Sequence, residues 1–157
     1  MRPQQRSARS AFTLVEILIV VVILGILAAI VIPRFTGATD EARQCTFIAS
    51  LKTYADACEY FAAKEGRYPP DGSSGSIPSG FEEYVDQIEY ESPTPLGGSW
   101  DTEFNDSGVT SAIGVHFQGV DVPDFMLQID ETFDNGDLSS GVFQQLAADR
   151  FYYIVEP

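Results

Sequence analysis

The chain has 157 residues, 45% of them hydrophobic and 12% aromatic, and its 23 Asp and Glu against 9 Lys and Arg give a formal charge of -14. Residues 1–67 hold 8 basic and 6 acidic side chains, whereas residues 68–157 hold 17 acidic ones against Arg150 alone. So acidic a surface repels phosphate backbones and excludes nucleic acid as a partner, while the aromatic content, with Trp100, Tyr152 and Tyr153, excludes a disordered chain.

The first element in chain order is apolar. Ile17–Ile32, ILIVVVILGILAAIVI, carries no charged or polar side chain, and Phe12–Glu16 extends the stretch to 21 residues. As a helix it covers roughly 30 Å, the thickness of a bilayer's hydrocarbon core. Arg2, Arg6 and Arg9 precede it without an acidic residue, and the chain turns acidic after Arg34. The positive-inside rule then places Met1 in the cytoplasm and the C-terminal part outside. Three uses of the segment compete: a secretory signal cut near Thr36-Gly37-Ala38, a single-span tether for a periplasmic binding module, and a helix that is retained and packs on copies of itself. Glu16 separates them. A carboxylate in an apolar helix costs about 2.5–3.5 kcal/mol at mid-membrane, so Glu16 either sits solvated at the interface or needs a partner.

The string Ala11-Phe12-Thr13-Leu14-Val15-Glu16, the unbroken apolar run behind it and Pro33-Arg34-Phe35 together resemble the N-terminal signal of the type IV pilin and type II secretion pseudopilin superfamily. The resemblance covers about the first fifth of the chain. It implies that a prepilin peptidase cuts between Ala11 and Phe12, that the new amine of Phe12 is methylated, and that the apolar helix stays in the mature protein. Ala11 departs from the family, which has Gly before the cut. The resemblance also supplies Glu16 with a partner, the cationic amine of Phe12 on a neighbouring subunit; an intrachain pair across four residues is the alternative. Gly25, Ala28 and Ala29 are small enough for close helix approach, and Pro33 removes one backbone hydrogen bond and is expected to kink the helix. Implied partners are other pilin-like subunits in a homo-oligomeric filament, the peptidase, and an inner-membrane assembly platform with its cytoplasmic ATPase. The implied location is the bacterial inner membrane, single-pass, with a periplasmic C-terminal domain that later coats a periplasmic or extracellular filament.

From Asp40 to Glu65 the residues Ala42, Cys45, Ile48, Leu51, Tyr54/Ala55, Cys58 and Phe61/Ala62 recur at steps of three and four, which predicts an amphipathic helix ending at Gly66. Cys45 and Cys58 lie roughly 20 Å apart along it and about 220° around it, so they cannot bridge within the helix. Two buried small residues is one reading of the pair, and a bridge between subunits is the other. Gly66-Arg67-Tyr68-Pro69-Pro70 stops the helix, an exit that resembles major pseudopilins, and Asp71–Gly80 is a loop. Ser79-Gly80-Phe81-Glu82 reads as a capping box before a short helix carrying Tyr84, Val85 and Ile88. After a turn over Pro93–Gly98, the segments Trp100–Phe104, Val109–Phe117, Phe125–Ile129 and Phe151–Val155 read as strands, and Val142–Ala148 as a helix. The expected fold class is α+β, one long N-terminal helix packed on a small antiparallel sheet. The divisions are a leader (1–11), a transmembrane and filament-core helix (12–33), its amphipathic second half (34–66) and an acidic globular α+β domain (67–157).

Catalytic patterns are thin. His116, the single histidine, falls in a strand-like run and reads as a packed or edge side chain rather than a general base. Two oxygen-rich clusters, Asp101, Glu103 and Asp106, then Asp130, Glu131, Asp134, Asn135 and Asp137, have the ligand type that calcium prefers. Calcium is the one candidate cofactor, with Asp130, Asp134 and Asp137 as candidate ligands and a solvated acidic surface as the competing reading. EF-hand spacing does not fit, since Gly136 at loop position six puts Phe133 third and Val142 twelfth. The expected function is a non-catalytic filament subunit of a type II secretion pseudopilus or type IV pilus, leaning to the pseudopilus.

Overall fold

The computed structural model describes residues 13–157, with the side chains of residues 30–38 outside that description. The chain divides into two compact units, residues 1–40 and 41–157. Helical backbone runs over Leu14–Glu65 (α1) and contributes to both. Pro33 falls in this helical range, and the Ala11–Phe12 bond lies outside the described residues.

In the second unit the α1 residues Phe47, Leu51, Tyr54, Ala55, Cys58 and Phe61 are all at most 5% exposed. They form the face expected from the apolar period, with two corrections: Ala42 and Cys45 are exposed. At 100° per residue Cys45 sits about 120° and Ala42 about 180° from Leu51, so neither shares its face, and Phe47 takes the place assigned to them. Cys58 is buried and free, and burial pushes its thiol up to about 12. Gly66 ends α1 with φ +70 and donates its N–H to the Ala62 carbonyl at 2.9 Å, the left-handed cap that glycine adopts without strain.

Four antiparallel strands follow, β1 (Ser99–Asp106), β2 (Val109–His116), β3 (Phe143–Ala147) and β4 (Arg150–Glu156), in the order β1-β2-β4-β3. Ser107 and Gly108, both with positive φ, make the two-residue turn whose twist suits a hairpin between β1 and β2. The inner face meets α1 through aromatic contacts. Phe47 stacks on Trp100 with ring centroids 5.4 Å apart, Tyr54 meets Trp100 edge-on at 4.8 Å, and Phe143 closes on Phe47 at 6.4 Å.

Three expected elements are corrected. Phe125–Ile129 is not a strand but lies at the start of a helix, Met126–Phe133, because Met126, Ile129 and Asp130 are buried at helical spacing while Leu127 stays 45% exposed. Val142–Ala148 is not a helix. It contains β3, where pairing with β4 and the burial of Phe143 override the helix preference of Gln, Leu and Ala. The helix expected from Ser79 is a set of turns, since Gly80 has φ +87. A single helical turn begins instead at Gln87, where the Asp86 carboxylate accepts the Glu89 N–H at 3.0 Å.

On the outer face of the sheet, Asp101 and Glu103 alternate with Trp100 and Thr102 and are only 3% and 2% exposed. Asp101, Gly114 and Tyr152 stand in one row across β1, β2 and β4. Gly114 leaves the middle of that row empty, so the Tyr152 phenol crosses it and donates to Asp101 at 2.6 Å and to Glu103 at 3.0 Å. Arg150 donates to Glu103 and lies 3.8 Å from Asp101. Burial pushes both carboxyls above the ordinary carboxylate range, and the Tyr152 hydroxyl and the Arg150 guanidinium pull them only part of the way back.

Two outcomes follow from this face. A Cβ at Gly114 would lie 2.0 Å from the Phe151 carbonyl oxygen, so Gly114→Ala is expected to cost about 2 kcal/mol or more, read as an earlier urea midpoint of Trp100 fluorescence; an unmoved midpoint contradicts the packing. With pKa values raised in the folded state, Asp101 and Glu103 hold protons when folded that they lose when unfolded, over the window from the ordinary carboxylate range near 4 up to their raised values. The stability these two groups contribute therefore rises as pH falls through their raised folded-state values and stops rising once the unfolded acids protonate too. Glu103→Gln flattens the rise in a urea titration followed against pH, and a Glu103→Gln variant whose pH dependence matches that of the parent overturns the assignment.

Candidate functional site

The first unit presents an uncovered apolar surface. Leu14, Val15, Ile17–Leu24, Ile26 and Leu27 are between 49% and 83% exposed, and they point in every direction around the helix. A helix that is apolar all round belongs in lipid or among other helices. Covering half of what these side chains still expose is worth on the order of 10 kcal/mol. Among the described residues no helix is long and apolar enough to cross a membrane, and the expected span, 12–33, runs past the described apolar side chains at both ends. At Gly25 a Cβ would meet nothing within 4 Å.

Glu16 has a partner inside its own chain. Its Oε2 accepts the Thr13 N–H and the Thr13 hydroxyl, each at 2.8 Å, while the Glu16 N–H donates to Thr13 Oγ1 at 3.2 Å. This is a reciprocal capping box at the start of α1. The T-x-x-E spacing ahead of an apolar run is its sequence signal, and a reading centred on the charge of Glu16 passes over Thr13.

The acidic loop after the helix Met126–Phe133 is organised by its own donors. Asp134 Oδ2 accepts the N–H groups of Val142 at 2.6 Å and Phe143 at 2.9 Å, pinning the start of β3. Gly141 makes room for that carboxylate; a Cβ there would lie 2.1 Å from it. Asp137 accepts from Ser139 and Ser140, which hold its carboxyl below the ordinary range. Asp130 is fully buried with neither side-chain oxygen hydrogen-bonded. Burial first, then the neighbouring Asp134, push its carboxyl up; the N–H groups of Asp137 and Gly136 ease this from outside hydrogen-bond geometry. As folded, the carboxylates of Asp134 and Asp137 serve the loop rather than a shared point. Among the described residues no group of three or more His, Cys, Asp or Glu is arranged to hold a metal ion.

His116 ends β2 and is 7% exposed. Its Nδ1 lies 2.7 Å from Ser74 Oγ and its Nε2 3.2 Å from Asp149 Oδ2, a ring held on both sides as a packed side chain.

Comparison with known proteins bears on the N-terminal segment. Residues 6–32 match the family model of the prokaryotic N-terminal methylation motif. The chain is 42% identical over 65 residues to the type II secretion system core protein G of Pseudomonas aeruginosa and 35% identical over 65 residues to that of Aeromonas hydrophila; each match covers 41% of this chain and 46% of the relative. It is 54% identical over 46 residues to a type IV narrow pilus major component of Thermus thermophilus, covering 29% of this chain and 40% of that protein. The chain thus spans less than half the length of these relatives. No solved structure matches it. The chain carries the prokaryotic N-terminal methylation motif over residues 6–32 and is similar, over part of its length, to type II secretion core protein G and to a type IV pilus component.

Proposed function

We propose that this chain is a filament subunit that a prepilin peptidase cuts between Ala11 and Phe12, methylates at the Phe12 amine, and releases to an inner-membrane assembly platform driven by a cytoplasmic ATPase. The observation that carries this reading is the uncovered apolar surface of residues 14–27 joined to a carboxylate at its start. In the bilayer the segment 12–33 meets lipid, and in the filament it meets the same segment of neighbouring copies. Residues 34–66 carry the helix into the acidic part of the chain, and residues 67–157 coat the fibre. The match to secretion-system relatives extends over 65 residues, against 46 for the narrow pilus component, which favours a type II secretion pseudopilus over a type IV pilus.

Glu16 has two separable jobs in this scheme. Its hydrogen bonds to Thr13 close the first turn of the helix, and its charge seeks the amine that cleavage creates on Phe12 of another subunit. Apolar contact supplies the affinity of packing and is indifferent to register. The charge sets the register, because an unpaired carboxylate in low dielectric is costly.

The mature protein's N-terminus, read by mass spectrometry, is expected to be methylated Phe12; a chain that begins at Met1 or downstream of Pro33 contradicts the proposal. Glu16→Gln keeps an oxygen that accepts from Thr13 but loses the charge, whereas Glu16→Ala loses both. Both variants are expected to insert in the membrane and fail to assemble. Normal filaments from Glu16→Gln alongside failure of Glu16→Ala show that Glu16 acts only as a helix cap.

A further inference from the structure

The loop between the helix Met126–Phe133 and β3 contains a pair of residues that the proposed function leaves unused, Asn135 followed by Gly136. An asparagine side chain ends in an amide carbon, Cγ, and attack on it by the next backbone nitrogen closes a five-membered ring. A side chain on the following residue hinders that attack, and glycine has none. Gly136 also holds φ +77, a region that other residues enter with difficulty. Asn105, the other asparagine of the chain, is exposed like Asn135. It stands in β1, however, and is followed by Asp106, which carries a side chain and pairs with Val109.

The folded loop adds to what the sequence pair supplies. Asn135 Oδ1 accepts the Asp137 N–H at 2.8 Å, and the ring that this hydrogen bond closes contains both Cγ and the Gly136 nitrogen. The side chain is thus held over the peptide with which it would react. A donor on the carbonyl oxygen also draws electrons from Cγ and stabilises the negative charge that attack places on that oxygen. Nδ2 donates to Ser140 Oγ at 3.0 Å and lies beside Gly141, where a Cβ would come within 2.7 Å of it. These two bonds fix which way the amide faces, Oδ1 on the N–H and Nδ2 on the hydroxyl. Asn135 is exposed, so water reaches it.

We propose that Asn135 and Gly136 form a self-modifying site, at which the chain deamidates to a mixture of aspartate and isoaspartate. The Gly136 nitrogen gives its proton to water or hydroxide and bonds to Cγ. The Cγ–Nδ2 bond breaks, and Nδ2 takes a proton from water and leaves as ammonia. Water then opens the resulting succinimide at one of its two carbonyls. Breaking the Cγ–N bond leaves aspartate; breaking the bond between the Asn135 carbonyl carbon and that nitrogen leaves isoaspartate, with the backbone running through Cβ and Cγ. The net change consumes one water and releases one ammonia. Its consequence is local loosening. The donor that Nδ2 offers Ser140 is lost, and a new negative charge joins Asp134 and Asp137. Asp134 pins the start of β3, an edge strand, through the N–H groups of Val142 and Phe143. The site lies wholly in the second unit and is independent of whether the chain polymerises.

The test incubates the full-length protein in detergent micelles at neutral to mildly alkaline pH, folded and in urea, and follows it by peptide mapping with mass spectrometry. Isoaspartate is detected separately, through its methylation by an isoaspartyl methyltransferase. The peptide carrying Asn135 is expected to gain about 1 Da and to contain isoaspartate. The gain is expected to be about tenfold or more faster than any gain at Asn105, and no slower in the folded chain than in urea. Gly136→Ala is expected to slow it and Asn135→Gln to remove it. Because an alanine at Gly136 also disturbs the loop, Asn135→Asp supplies the product's charge directly and is expected to lower the urea midpoint of Trp100 fluorescence, as is ageing of the parent protein. Equal rates at Asn105 and Asn135, or an Asn135→Gln variant that gains mass in the same peptide, overturns the proposal. So does a folded chain that reacts more slowly than the unfolded one, since the loop then shields Asn135. A midpoint unmoved by Asn135→Asp overturns the loosening.

Discussion

An apolar helix surface with nothing covering it is the constraint to which the rest of this molecule answers. Residues 14–27 expose Leu, Ile and Val side chains on all sides, and burying part of that surface is worth on the order of 10 kcal/mol, several times the roughly 3 kcal/mol that a carboxylate costs in an apolar setting. The magnitudes assign the roles. Apolar contact decides that the helix is covered, and Glu16 bears on how. Because Thr13 already donates twice to the Glu16 carboxylate, the charge is not stranded in the isolated chain. Both bonds fall on Oε2, so the cap and a charge partner need not compete for the same oxygen.

The second unit solves a different problem, that of enclosing a core beneath a strongly acidic exterior. Its inner layer is aromatic, with Trp100 held between Phe47 and Tyr54, and Phe143 and Phe151 beside them. Aromatic rings bury much area per residue, which suits a four-stranded sheet backed by part of one helix. Its outer layer is polar yet also buried. Asp101, Glu103, His116 and Tyr152 are all at most 7% exposed, an arrangement that costs stability unless every group is paired. Gly114 makes that layer geometrically feasible, since any side chain there would collide with β4.

The sequence makes the elements with a strong single period legible and leaves the ambiguous ones open. The stripe Leu51, Tyr54/Ala55, Cys58 and Phe61 identifies the buried face of α1 because four successive positions agree on it, whereas Cys45 and Ala42 at its start drift off that face. Phe125, Leu127 and Ile129 alternate like a strand, but so short a run fits a helix equally well, and the burial of Met126 and Asp130 decides the matter only in the folded chain. Val142–Ala148 has helical composition and becomes a strand through pairing with β4, which no local pattern encodes. At the N-terminus the capping box of Thr13 and Glu16 was readable and hidden behind the charge. The burial of Asp101 and Glu103 was not readable, because alternation sends them to the outer face and only the tertiary fold encloses that face.

The two units also differ in what relatives share with them. The methylation motif occupies residues 6–32, and a match of 65 residues cannot contain the whole of residues 41–157. The part matched by the family model thus includes the apolar segment 12–32, in which Glu16 is the one charged side chain. The outer face of the acidic unit depends on a Tyr152 that crosses a glycine, on one arginine shared by two acids and on a tied-down loop, so few substitutions preserve it. Apolar burial tolerates variation because it is non-directional; a buried polar cluster does not, because each hydrogen bond has a direction and each buried charge a cost. The outer face of the sheet is therefore the part of the acidic unit least tolerant of substitution.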